Sequence, residues 1–168
     1  MEAGTLQSFD PAADPASFRG ALGSFVTGVT VVTTDSPEGP VGIVANSFAS
    51  VSLDPPMVLW SPAKSSSRFD HFAAAPRFVI HVMAADQRDI CAAIIASKTA
   101  VADIPMDVSS CGMPVIKGAL ATFECELAAS HDAGDHVIVV GRVTKAHHAG
   151  GEPLAFHAGS YGAVNVKN

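Results

Sequence analysis

Cysteine is scarce in this 168-residue chain: three thiols, Cys91, Cys111 and Cys125, stand far apart, and no Cys-x-x-Cys pair occurs. An odd and scattered set excludes a disulfide framework and a cysteine zinc centre, which predicts a reduced, cytoplasmic protein. Charge is thin as well. Only 15% of residues are Asp, Glu, Lys or Arg, and the net charge is −6, so non-specific attraction to nucleic acid or an anionic membrane is excluded. No apolar run nears the ~18–20 residues of a membrane span. Met1-Glu2-Ala3-Gly4 opens without the basic and apolar regions of a secretory signal, so none is expected. Also missing are Gly-x-Ser-x-Gly, His-Glu-x-x-His and a Gly-x-Gly-x-x-Gly after a strand, which removes the common hydrolase and dinucleotide-fold signatures.

What the chain does have is apolar, β-branched sequence. Some 48% of residues are hydrophobic, enough at this length to bury a core without staples. Residues 1–15, with Pro11 and Pro15, predict a flexible leader, and residues 16–168 a single domain. A short helix is expected over 17–23, capped by Ser17. Residues 25–34 are dense in Val and Thr and predict a strand; after a turn at 35–40, residues 41–53 predict a second, continuous one. Further strands are expected at 57–60 and 77–83, helices at 66–75 and 86–98, and a long surface loop at 99–113. Residues 120–130 and 136–146 predict a hairpin around a four-residue turn, with a last short strand at 153–157. Many short strands, few helices and no βα alternation imply a mainly β protein, a closed antiparallel barrel with flanking helices.

Three stretches break that pattern. Ala45-Asn46-Ser47-Phe48-Ala49-Ser50 puts a β-disfavoured asparagine inside a predicted strand, where its amide needs partners. Either neighbouring backbone satisfies it at an edge or bulge, or Asn46 and Ser47 offer donors and acceptors to a flat heterocycle. Ser61-Pro62-Ala63-Lys64-Ser65-Ser66-Ser67-Arg68 runs into a predicted helix. A cation in the first turn opposes the helix dipole, a cost that a bound anion offsets. Helix amides, serine hydroxyls, Lys64 and Arg68 together would hold a phosphate; an ordinary serine cap with solvated charges is the alternative. His131-Asp132-Ala133-Gly134-Asp135-His136 gathers metal-type side chains around turn residues, with the two histidines expected opposite one another. No third and fourth ligand accompany them, so no metal site is predicted. No nucleophile constellation appears and no catalytic side chain is singled out. A phosphate pocket beside a polar strand edge suits a cofactor that does the chemistry.

These residues resemble the flavin reductase-like family, which has the FMN-binding split β-barrel fold of Greek-key type. The motifs are Phe18-Arg19-Gly20-Ala21-Leu22-Gly23 running on through Thr27-Gly28-Val29-Thr30, then Ala45-Asn46-Ser47-Phe48 with Ser52-Leu53-Asp54-Pro55-Pro56, and Gly134-Asp135-His136. The resemblance covers most of the chain. It implies a homodimeric oxidoreductase in which NADH or NADPH reduces FMN or FAD, the reduced flavin diffusing to a flavin-dependent monooxygenase component. It also implies site residues. Gly42, Ile43 and Val44, with Asn46 and Ser47, would meet the isoalloxazine ring. Ser61, Pro62, Ala63, Ser67 and Arg68 would meet the ribityl and phosphate end, and His136 and Tyr161 the nicotinamide. Retained FMN serving a substrate of its own, or a flavin-binding module without turnover, are the other functions such a fold admits. His81 stands where many relatives have Asn, and Ala93-Ile94 where an Arg-Phe pair is common.

Overall fold

The computed structural model describes residues 5–73, 75–97 and 100–164. Its first helix, α1, is Pro15–Gly23. The cap is Asp14 rather than Ser17: the Asp14 carboxylate accepts the Ser17 N–H at 3.0 Å, and Pro15 takes the first helical position, where its missing N–H costs nothing. The β-branched run that follows is two strands, β1 (Thr27–Gly28) and β2 (Thr30–Thr34). Between them Val29 bonds across to Leu154 and Met83 and hands the chain from one sheet to another. All five residues of β2 are buried, with Val31 in one apolar cluster and Val32 in another. A strand covered on both faces has no reason to alternate.

The predicted strand at 41–53 is not one element. β3 (Val41–Ala45) and β4 (Ala49–Leu53) are separated by Asn46, Ser47 and Phe48. Asparagine is a poor strand former, Ser47 spends its hydroxyl on Ser61, and Phe48 turns inward to stack on Phe123 at 5.7 Å. The break closes the fold. β5 is Pro56–Trp60, β6 Arg77–Val82, β9 Ala121–Ala133 and β10 His136–His148, and the large sheet runs β3-β2-β6-β9-β10-β5-β4, antiparallel throughout. Laid flat, its two outer strands would lie about 29 Å apart, at ~4.8 Å per neighbour. They are joined by three residues, a reach of about 15 Å. The sheet must therefore curl until its edges meet, and residues 46–48 form the seam.

Inside the curl pack Val32, Val58, Trp60, Phe72, Phe78 and Val139, with Phe72 edge-on to Trp60 at 5.4 Å. A second cluster, with Val31, Met83, Cys91, Ile94 and Ile116, lies between the outer face of the sheet and a helix, α3 (Arg88–Ala96). The helix expected at 66–75 is shorter, α2 (Phe69–Ala73). The expected loop at 99–113 carries a 3-10 turn (Ala100–Asp103) and β7 (Met106–Val108), which pairs with β8 (Pro114–Ile116). His81, on β6, bridges the two layers. Its Nδ1 lies 2.9 Å from the Val31 carbonyl and its Nε2 accepts the Ile116 N–H at 3.1 Å. β11 (Leu154–His157) and β12 (Ser160–Ala163) form a small sheet with β1. Among the described residues no helix is long and apolar enough to cross a membrane.

Candidate functional site

Asn46 stands where the barrel is open. Exposed at the seam, it lines three adjoining clefts of about 620, 450 and 230 Å³. β3 beside it is an edge strand, so half of its amides and carbonyls face outward rather than into the ladder. Of the three β3 residues expected at the ring, Val44 lines the smallest cleft together with Asn46 and Tyr161. Gly42 has a packing duty as well: a Cβ there would come within 2.6 Å of a Val101 methyl. It is glycine so that the 3-10 turn can lie against the strand.

From Asn46 the site continues by direct contacts. The Ser47 hydroxyl accepts the Ser61 N–H at 2.9 Å, fastening the seam to the serine-rich loop. Pro62 and Ala63 then seat the β9–β10 turn: Val137 N–H donates to the Pro62 carbonyl at 3.1 Å, Lys64 N–H to the Asp135 carbonyl at 2.9 Å, and Ala63 bridges His136. The turn differs from expectation. Ala133 pairs with His136 and His131 with Ile138, so the loop is the two residues Gly134-Asp135, with Gly134 at φ +69°, and the two histidines are not opposite one another. Positive φ at the first turn position matches the strand twist and draws the hairpin tight. Within it His136 Nδ1 lies 2.7 Å from the Asp135 carboxylate. That hydrogen bond and the neighbouring charge hold the Asp135 carboxyl below the usual range and leave Nε2 as the free ring nitrogen. Among the described residues no three His, Cys, Asp or Glu side chains gather as a metal would need.

The two cations of the serine loop part company. Lys64 gives its ammonium to the Asp132 carboxylate and the Gly134 carbonyl, so it clamps the turn instead of serving an anion. Arg68 is drawn inward. One terminal nitrogen donates to the Ile94 carbonyl in the last turn of α3, where the helix dipole favours a cation. Its Nε is buried and has no partner. Helix α2 begins only at Phe69 and spans five residues, so its dipole is slight. The anion site therefore rests on the guanidinium and the serines. A second orphan, Thr27 Oγ1, is buried without a partner on the walls of the two larger clefts. An unmet buried polar group costs about 1–3 kcal/mol, and these two, unlike Trp60 Nε1 in the lumen core, lie next to residues expected to hold a flavin. Thr27 was hidden in the sequence within a run read as one strand; the only local signal was Gly28, a poor strand residue in its midst.

Tyr161 packs on Phe156 at 5.4 Å, with the Arg88 guanidinium 5.6 Å from its ring. The structure thus brings Val44, Asn46 and Tyr161 to one cleft, and links Ser47, Ser61, Pro62, Ala63 and His136 in one chain of contacts. Ile43 packs towards the lumen cluster, leaving its backbone for the seam. Ser67 is exposed beside Arg68.

Residues 22–165 match the family model described as a flavin reductase like domain. SmoA of Agrobacterium fabrum, named FMN reductase (NADH), is 57% identical over 146 residues, 87% of this chain and 84% of SmoA. HsaB of Mycobacterium tuberculosis, the reductase subunit of a flavin-dependent monooxygenase, is 38% identical over 155 residues, 90% of this chain and 83% of HsaB. Among solved structures, the NADH:FAD oxidoreductase SgcE6 of Streptomyces globisporus superposes with a TM-score of 0.90 at 31% identity, covering 99% of this chain and 96% of that one.

Proposed function

This chain belongs to the flavin reductase-like family, and from that premise we propose that it transfers hydride from NADH to FMN or FAD. The observation that carries the proposal is the open seam at Asn46, with the unpartnered Thr27 Oγ1 on its wall. When bound, the flavin supplies the hydride-accepting ring, so the protein's share is binding and alignment. Arg68 and Ser67 hold the phosphate, with Ser61, Pro62 and Ala63 along the ribityl chain. Asn46, Ser47 and the outward backbone of Gly42, Ile43 and Val44 meet the ring edge. His136, fixed by Asp135, and Tyr161 orient the nicotinamide through hydrogen bonds. NADH rather than NADPH is supported by the names of SmoA and SgcE6. Relatives that are reductase components support a flavin-dependent monooxygenase as partner, reached by diffusible reduced flavin. We also place residues 16–168 in one domain behind a leader at 1–15, and the protein in the cytoplasm, in keeping with its three free cysteines.

Two variants divide the site. Arg68→Glu puts a negative charge at the phosphate position, and flavin affinity by fluorescence titration should fall at least tenfold, about 1.4 kcal/mol or more. His136→Ala should raise the KM for NADH while flavin affinity stays within twofold. Unchanged flavin affinity in the first variant, or equal loss of both ligands in the second, refutes the assignments. Purified protein should oxidise NADH only when flavin is added; a yellow colour that survives gel filtration marks a retained cofactor instead.

A further inference from the structure

Eight cationic side chains lie among the described residues, and six are engaged. Lys64, Lys117 and Arg142 pair with carboxylates. Arg68 and Arg77 donate to backbone carbonyls, and Arg88 sits over the Tyr161 ring. Lys145 lies on a distant cleft with the buried Glu124. Among the described residues Arg19 has no partner, and it is the only charged one on the walls of the 620 Å³ cleft that ends at Asn46. Most of the other walls are apolar or glycine, among them Leu22, Phe25 and Phe156, while the buried hydroxyl of Thr27 stands with Asn46. A cleft of this size and lining is typical of a small-molecule pocket. It offers aromatic walls to a flat ring and one guanidinium to an anion.

We propose that Arg19 reads the pyrophosphate of the dinucleotide reductant and thereby positions NADH in this cleft. The inference rests on the flavin reductase reading and goes beyond it to a specificity-determining residue. The charge logic is spatial. Arg68 is tied to Ile94, and its neighbour Ile95 lines the smallest cleft; Arg19 opens on the largest. Asn46 is the wall the two share. Two anionic ligands meeting at Asn46 each find one guanidinium, and neither cation serves both clefts. Arginine suits the task because its planar fork grips a pyrophosphate with more than one N–H.

FAD also carries a pyrophosphate, so the assay uses FMN as acceptor, leaving the reductant as its sole source. Arg19→Ala should raise the KM for NADH roughly ten- to hundredfold, the worth of a charge-assisted contact, with kcat within twofold. Arg19→Lys should recover part of the loss. With 1-benzyl-1,4-dihydronicotinamide, a reductant without pyrophosphate, the penalty should vanish. Independently of turnover, calorimetry should show ADP-ribose binding weakened by a similar factor in Arg19→Ala. An equal penalty with both reductants, unchanged ADP-ribose binding, or a penalty that falls only on the KM for FAD overturns the proposal. So does a change of oligomeric state with NADH kinetics intact, which would assign Arg19 to a subunit contact. If the unaltered protein oxidises neither reductant with flavin present, the flavin reductase reading fails, and ADP-ribose binding still decides the role of Arg19.

Discussion

Single side chains decide the chemistry here by what they are left to do. Asn46 and Thr27 keep unmet polar capacity at the seam and Arg68 keeps an unpartnered Nε beside α3, whereas Lys64, equally prominent in the sequence, is consumed by Asp132. Linear spacing shows where cations cluster but not which carboxylate reaches them first, so Arg68 was legible as an anion residue and the capture of Lys64 was not. His81 illustrates a buried group with a fixed proton. Fully buried, it has its pKa pushed down to about 4, desolvation outweighing the bond to Val31, and a second proton on Nε2 would face the Ile116 N–H. Between pH 6.5 and 4 the unfolded chain therefore binds the extra proton more readily than the native one. Stability from this site is complete above pH 6.5 and falls as pH drops, by about 3 kcal/mol in all. Urea unfolding at pH 7 and pH 5 should show that decline, and His81→Gln should flatten it; an equally steep decline in the variant would mean other groups carry it.

At the scale of elements, the sequence was reliable for short apolar runs set off by turn residues. The runs that became β5 and β6 were placed within a residue, because continuous apolar, β-branched sequence has few other solutions, whereas the run at 25–34 is divided at Val29 into β1 and β2. It misjudged places where an element ends for tertiary reasons: the strand expected at 41–53 breaks because Phe48 finds Phe123 and Ser47 finds Ser61, partners remote in sequence. The long β9–β10 hairpin carries a register shift between Val140 and Gly141. A Cβ on Gly141 would lie 2.7 Å from Phe78 Cζ and 3.0 Å from Cys125 Cβ. Both neighbours are buried in the lumen, so one of them must shift within a packed core. Gly141→Ala should cost about 1–3 kcal/mol in denaturant unfolding, with the slope of the transition unchanged; a neutral result would show that the lumen repacks.

For the whole molecule, the exposed apolar surface bears on association. Phe25, 75% exposed, and Val26 are open on the cleft that contains Ser47 and Phe48, and Val51 and Leu53, the latter 95% exposed, follow on β4, which starts at that cleft with Ala49. We propose that this face is covered by a second copy, as the family resemblance implies. Light scattering should give twice the chain mass, and Leu53→Lys with Val26→Lys should return the monomer, since two cations cannot be buried unpaired; an unaltered monomer mass in the parent protein would refute the dimer. The sequence by itself determined the class of fold, the apolar strands, the serine-rich loop, the presence of a hairpin turn between 131 and 136 and the family, because each depends on residue chemistry over a short stretch of chain. Only the tertiary structure decided that the sheet closes at Asn46, that Lys64 is spent on Asp132 while Arg68, tied to Ile94, keeps its Nε unpartnered, and that Arg19 faces the same opening as Thr27. Those outcomes depend on which distant groups the curl of one sheet brings within hydrogen-bonding reach, and no local pattern encodes that distance.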